Sequence, residues 1–191
     1  MKEQSFCQRI INLLKGSSSS RKEELKPQPQ NNFYQSVKNV LKDLNIPYQE
    51  NNGVITFFNQ INSEIKNVRI MIKAYEESYI IKGVYDNFVV QDNRIANMCE
   101  LLLRLNEQFT PSLFLDYQHK MIFCRHHSYT FSDEISEKEI KEAIFKVNDQ
   151  LESFGHAIMS VQNGAEPSYQ AQLSITSKLI EMGEVDLNGN F

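Results

Sequence analysis

The chain has 191 residues, of which 41% are hydrophobic and 23% are charged. This composition suits one ordinary domain with appendages, and it excludes a collagen-like or wholly disordered chain. The apolar runs are too short for a transmembrane helix. The formal net charge of −4 speaks against nucleic acid as a partner, because nucleic-acid-binding domains are usually basic.

The cysteines indicate a reducing compartment. Cys7, Cys99 and Cys124 form an odd, sparse set without a CxxC pair, which is a poor disulfide framework. Polar residues interrupt the apolar positions of the N-terminus, and no small-residue cleavage site follows, so a secretory signal is not predicted. We therefore expect a cytoplasmic protein with free thiols.

The N-terminal part predicts an amphipathic helix on a linker. In residues 1–15, an apolar stripe recurs at helical spacing through Phe6, Ile10 and Leu14. Residues 16–32 are rich in Ser, Pro and charge and contain no aromatic residue, which is typical of a flexible linker. We predict that the helix docks on a protein or an anionic membrane surface. Docking on the chain's own body remains the alternative.

The next stretch, 33–163, predicts an independently folding domain. Apolar spacing, alternation and turn residues predict two helices, at about 33–44 and 92–106, with three strands between them, at 53–60, 65–75 and 79–86. A hairpin follows the second helix, with strands at 113–117 and 121–128.

The last helix of this stretch has the clearest pattern. Ser136 and Glu139 form a capping box, and an apolar seam then continues to Val161. This predicts one helix of about 27 residues in which Gly155 marks a bend or a close packing point. The tail, 164–191, predicts a weak helix from Pro167 followed by a disordered end.

The order of elements is α-β-β-β-α-β-β-α. Short connections between strands favour antiparallel neighbours. We therefore predict an α+β fold, with an antiparallel sheet of about five strands and helices packed mainly on one face.

Three successive stretches carry a resemblance to a known family: a leucine-rich helix end, a hairpin and a capped helix, which read LLLRLNEQF, SLFLDYQHKMIFCRHH and SEKEIKEAIFKVNDQLESF. Over roughly 33–163 the chain resembles the YbjN family of bacterial sensory-transduction regulators, whose fold is similar to that of type III secretion chaperones. The resemblance implies a dimerising, protein-binding module of regulatory or chaperone-like type. It implies no catalytic residue and no cofactor.

A Cys/His cluster is the strongest hint of chemistry. Cys124 and His126 fall on one side of a predicted strand, with His119 in the preceding turn. A small Cys/His hydrolase or a metal protein is therefore an alternative function. No second Cys/His cluster supplies further ligands, so we predict no catalytic residue and no metal. The SxxK sequence of Ser63–Lys66 falls between strands, where a turn is expected.

One side of the predicted sheet suggests an interface. Arg69, Met71, Lys73 and Tyr75 alternate on one strand, and a second strand adds the same mixture with Phe123 and Arg125. Arg, Met and aromatic residues are enriched at protein interfaces, although an ordinary half-solvated sheet face remains the alternative. We predict a non-enzymatic module that binds a protein partner or forms a homodimer. An adaptor docked through residues 1–15 is the second hypothesis.

Overall fold

The computed structural model describes residues 29–76, 78–129 and 135–184. Within these ranges it contains four α-helices, one 3-10 turn at Asp92–Arg94 and six strands. In chain order they are α1 Pro29–Asp43, β1 Tyr48–Asn51, β2 Val54–Gln60, β3 Asn67–Ala74, β4 Ser78–Tyr85, α2 Ile95–Asn106, β5 Ser112–Asp116, β6 Met121–Tyr129, α3 Glu137–Gln162 and α4 Pro167–Met182.

The strands form one antiparallel sheet in the order β1-β2-β3-β4-β6-β5. The predicted α+β class is confirmed, but the sheet has six strands in the described residues rather than five. The additional strand is β1, which joins β2 through Asn52 and Gly53, both with positive φ. All four β1 residues are exposed, so the strand has no apolar alternation that would predict it.

The helices pack on one face of the sheet, as predicted. At the centre of that face lies Gly83 of β4, where an added Cβ would lie 2.6 Å from a Leu151 methyl and 2.7 Å from a Val147 methyl. The Tyr85 hydroxyl also donates a hydrogen bond to the Leu151 carbonyl at 2.6 Å. The missing Cβ therefore lets α3 lie directly against the central strands.

Helix α3 has the predicted capping box and 26 residues. Its apolar seam is buried from Ile140 to Val161. Gly155 proves to be a close packing point, because a Cβ there would lie 1.9 Å from the Ser63 Oγ.

Helix α1 begins at Pro29, four residues before its predicted start, so residues expected to belong to the linker are helical. Proline suits a first helical turn, where its missing N–H is not needed. The Tyr34 hydroxyl donates to the Gly53 carbonyl at 2.5 Å and accepts from the Ala74 amide at 2.9 Å. These bonds fix α1 beside the β1–β2 turn and the end of β3.

The predicted tail helix is present as α4 and packs against α2 and α3. Its Lys178 side chain is only 8% exposed and donates hydrogen bonds to Asp149 at 2.6 Å and Ser153 at 2.8 Å. The division of the chain at residues 32 and 163 stays a prediction. The predicted N-terminal helix, most of the linker (residues 16–28) and the final residues 185–191 lie outside the described residues.

Candidate functional site

Alternation along the strands divides the sheet into two faces. Val68, Ile70 and Ile72 of β3 point to the helices and belong to the hydrophobic core. The intervening residues of β3, and those in register with them on the other strands, point to the opposite side. We call this second side the open face, because no helix of the described ranges packs on it.

Pairs of a cation and an aromatic ring build the open face. The Arg69 guanidinium lies 5.3 Å from the centre of the Phe58 ring, directly across from it in the β2–β3 register. The Lys82 ammonium lies 3.7 Å from the centre of the Phe123 ring. Such contacts contribute roughly 0.5–2 kcal/mol each, depending on their exposure to water. They also hold long cationic side chains against the sheet.

The two strands at one edge continue the pattern. Phe114 of β5 and Phe123 of β6 stack with ring centres 5.3 Å apart and an interplanar angle of 23°. The Arg125 guanidinium lies 4.8 Å from the centre of the Phe114 ring. The face therefore presents a continuous mixture of rings and cations from β2 to β5.

The open face carries excess positive charge on an acidic chain. Its four cations outnumber its two carboxylates, counting Asp86 just beyond β4: Arg69, Lys73, Lys82 and Arg125 against Asp86 and Asp116. Burial lowers the pKa of Lys82; nearby Asp116 opposes this effect and Arg125 adds to it. A buried ammonium of this kind is stabilised by any further carboxylate brought close to it.

The structure places all six predicted interface residues on this face. Met71 and Lys73 follow Arg69 on the same side of β3, and the Lys73 ammonium lies 4.9 Å from the centre of the Tyr75 ring. Phe123 and Arg125 are on the same side of the sheet. Binding of a partner by these residues stays a prediction.

Three members of the cation–aromatic pairs were missed from the sequence: Phe58, Lys82 and Phe114. All three lie on strands that the sequence analysis had predicted, so alternation within those strands would have identified them. Met71 is largely buried, because only 7% of it is exposed. Phe58, by contrast, is 57% exposed, so the margin of the face is accessible while its centre is buried.

The thiol of the Cys/His cluster is buried. Cys124 points to the helix face, and its thiol donates to the Pro111 carbonyl at 3.6 Å. Burial raises the pKa of Cys124 to about 12, so the nucleophilic thiolate is scarce near neutral pH. His126 is half-buried, and burial together with Lys146 and His127 lowers its pKa. Within the described ranges, no three metal-binding side chains come together.

A second polar group contains a serine, a histidine and a carboxylate. His156 Nδ1 lies 2.8 Å from Glu64 Oε1, while the neighbouring Ser63 Oγ is buried against Gly155 without a hydrogen-bond partner. A buried hydroxyl packed on a helix backbone is not accessible to a substrate, so Ser63 is a packing residue here.

In the part of the chain that the structure describes, no helix combines the length and the apolarity needed to cross a bilayer.

Comparison with known proteins shows a likeness to solved structures only. No protein-family model matches the chain, and no curated protein matches it. The crystal structure of YbjN from E. coli, described as a candidate transcription regulator, is similar with a TM-score of 0.49 and 11% identity over 68% of this chain and 89% of that chain. The neighbour bears the name of the family that the sequence resembles. At this level of identity the likeness concerns the fold alone.

Proposed function

We propose that this chain is a non-enzymatic protein-binding module whose open face engages an acidic, partly apolar polypeptide. The observation that carries the proposal is the array of cation–aromatic pairs on a sheet face that the described helices leave uncovered. Arg and aromatic side chains of this kind supply much of the binding energy at protein interfaces.

The geometry favours a polypeptide over single-stranded nucleic acid. Nucleic acids bind sheet faces by stacking bases on free aromatic rings. Here the Lys82 ammonium, at 3.7 Å, and the Arg125 guanidinium cover the rings of Phe123 and Phe114, so a base would have to displace them. A polypeptide needs no such displacement, because its side chains pack against the pairs as they stand.

Charge indicates the composition of the partner. The excess of cations on the face attracts carboxylates, and such complementarity determines which partner binds and how it is oriented. The face is also apolar enough to favour leucine or phenylalanine in the partner, because Phe58 is largely exposed there. The proposed partner therefore alternates acidic and apolar side chains.

The proposal includes no catalysis. The candidate nucleophile Cys124 is buried with a raised pKa, which supports a role in packing. The two described cysteines, Cys99 and Cys124, are free thiols, and this supports the proposed location in the cytoplasm. The family resemblance favours a regulatory or chaperone-like role for this binding. Docking of an adaptor through residues 1–15 stays a prediction.

Fluorescence anisotropy with defined peptides tests the proposal. The probe is a labelled peptide of 16 residues that alternates Glu and Leu, and the comparison peptide replaces every Glu by Lys. We expect the full chain to bind only the acidic peptide. The Arg125→Glu variant should weaken this binding at least tenfold, which corresponds to about 1.4 kcal/mol.

The matched control is Lys138→Glu, which makes the same charge change at a side chain that is 86% exposed on α3. Equal binding of both peptides, or equal losses for the two variants, would contradict the proposal. Sedimentation velocity on the same samples identifies the alternative occupant: a homodimer that Arg125→Glu dissociates would mean that the face binds a second copy instead.

A further inference from the structure

Two cations of the open face lie directly opposite each other on neighbouring strands. Lys82 of β4 pairs with Arg125 of β6 in the register of the sheet, so their Cβ atoms are about 5 Å apart on the same face. Like charges in directly opposed positions destabilise a sheet. The pair therefore carries a repulsion that a negative charge between the two side chains would relieve.

Two stacked rings hold both charged groups against the sheet. The Lys82 ammonium lies over the Phe123 ring, and the Arg125 guanidinium lies over the Phe114 ring. Because the centres of these two rings are only 5.3 Å apart, both cations lean toward the same end of the sheet and stay side by side. Cation–aromatic contacts fix the position of the charges without neutralising them.

The described residues leave this pair of cations without a bonded carboxylate. No ion pair within the described ranges includes Lys82 or Arg125. The carboxylate of Asp116 acts on Lys82 only electrostatically. Its oxygens accept hydrogen bonds from Gln118 and His119 in its own turn. Asp116 thus offsets one of the two positive charges, and one positive charge remains.

We propose that the space between Lys82 and Arg125 is an anchor site that binds one carboxylate of the partner, from an aspartate or glutamate side chain. The inference rests on the proposed function for the identity of the partner and adds a single anchoring position to it. One carboxylate neutralises the remaining charge, whereas a phosphate group brings about −1.5 to −2 at neutral pH. Charge-assisted hydrogen bonds from both cations would orient the carboxylate.

The anchor site differs from the other cations of the face. Arg69 is already paired with Asp86, and Lys73 lies at the corner of the face against the Tyr75 ring. Lys82 lies on the central strand β4 and is partly buried. Coulomb attraction is stronger where water is excluded, so a carboxylate gains more at Lys82 than at an exposed cation.

A small carboxylate tests the anchor site without a polypeptide. The probe is isocaproate, a single carboxylate on a branched apolar chain, and the comparison is its uncharged amide. Both are added to the full chain with isotope-labelled methionine methyl groups. The Met71 methyl is the reporter, because Met71 lies opposite Lys82 in the β3–β4 register. We expect a saturable shift that is at least tenfold larger with the acid and is lost in Lys82→Gln.

The matched control is the methyl group of Met182, which is 55% exposed on α4. Equal shifts at Met71 and Met182, or equal shifts with the acid and the amide, would overturn the anchor site. Inorganic phosphate is the second arm of the experiment. A Met71 shift that saturates at a lower concentration of phosphate than of isocaproate would overturn the assignment to a carboxylate.

Peptides then locate the anchor site within the binding face. In the Glu/Leu peptide, every Glu except one near the centre is replaced by Gln. We expect Lys82→Gln and Arg125→Gln each to weaken the binding of this peptide at least tenfold. Lys141→Gln should weaken it less than twofold. Lys141 is a matched control because its ammonium also lies near a phenylalanine ring, that of Phe145, but on α3.

The two experiments separate this inference from the proposed function. Equal losses for Lys82→Gln and Lys73→Gln would mean that the cations attract carboxylates collectively, which overturns the anchor site and leaves the proposed function standing. A Met71 shift with isocaproate but no binding of any acidic peptide would refute the proposed function and leave the anchor site standing. Circular dichroism checks the folding of each variant, and Arg125→Gln replaces Lys82→Gln if the latter does not fold.

Discussion

Asn106, the last residue of α2, pairs with the backbone of Leu113 in the edge strand β5. Its amide nitrogen donates to the Leu113 carbonyl at 2.7 Å, and its Oδ1 accepts from the Leu113 amide at 2.7 Å. One side chain thus imitates a neighbouring strand at this position. The pairing occupies backbone groups that would otherwise be open to another chain at the sheet edge.

Asn106→Ala should lower the free energy of unfolding by about 2 kcal/mol, because two partly buried backbone groups lose their partner. Urea denaturation followed by circular dichroism measures this change. Asn97→Ala on the same helix is the control and should change stability by less than about 0.5 kcal/mol. Equal losses for both variants would mean that the pairing with Leu113 contributes no specific stability.

Gly83→Ala should destabilise the protein by about 1–3 kcal/mol, because the new methyl would overlap with Leu151 and Val147 of α3. Adding Val147→Ala should recover part of the loss by making room for it. Thermal unfolding of the two single variants and the double variant measures the coupling free energy between positions 83 and 147. Additive losses would show that α3 shifts away from the sheet instead of clashing with it.

Removing either partner of the ion pair between α3 and α4 should lower the free energy of unfolding by a different amount. Asp149→Ala should cost about 2 kcal/mol, because it leaves the buried Lys178 ammonium without its carboxylate. Lys178→Met should change stability by less than about 1 kcal/mol, since the rings of Phe109 and Phe154 surround the site. Denaturant midpoints measure the stability of both variants. A greater loss of stability for Lys178→Met than for Asp149→Ala would contradict the prediction.

The capping box of α3 should make stability depend on pH. Hydrogen bonds from the side chain and backbone of Ser136 lower the pKa of Glu139 from its ordinary 4.5. Because the folded pKa is the lower one, this contribution is complete above the unfolded pKa and is lost as pH falls through the folded pKa. The urea midpoint of unfolding is measured at about pH 6 and below about pH 4. The change in this midpoint between the two pH values should be smaller for Glu139→Gln than for the natural chain.

The sequence predicted the elements whose signals are local. Ser136 and Glu139 marked the start of α3 because capping is a contact between neighbours in the chain. Strand β1 was missed because Tyr48–Asn51 is exposed on both sides and exists only through its pairing with β2. The start of α1 was placed late because Pro29 lies in a stretch whose composition is typical of a linker.

Alternation on β3 predicted the side on which Arg69, Met71 and Lys73 lie, since strand geometry alone determines it. The contacts between strands were not predictable in the same way. Lys82 covers the Phe123 ring only because β4 and β6, which are separated by a helix and another strand in the sequence, lie side by side in the sheet. The burial of Met71 likewise depends on atoms that are distant in the chain.

The Tyr34 hydroxyl joins three elements, since it links α1 to the Gly53 carbonyl of the β1–β2 turn and to the Ala74 amide of β3. The hydrogen-exchange rate of the Ala74 amide consequently reports how often α1 detaches from the sheet, because that proton is protected only while the Tyr34 hydroxyl stays in place.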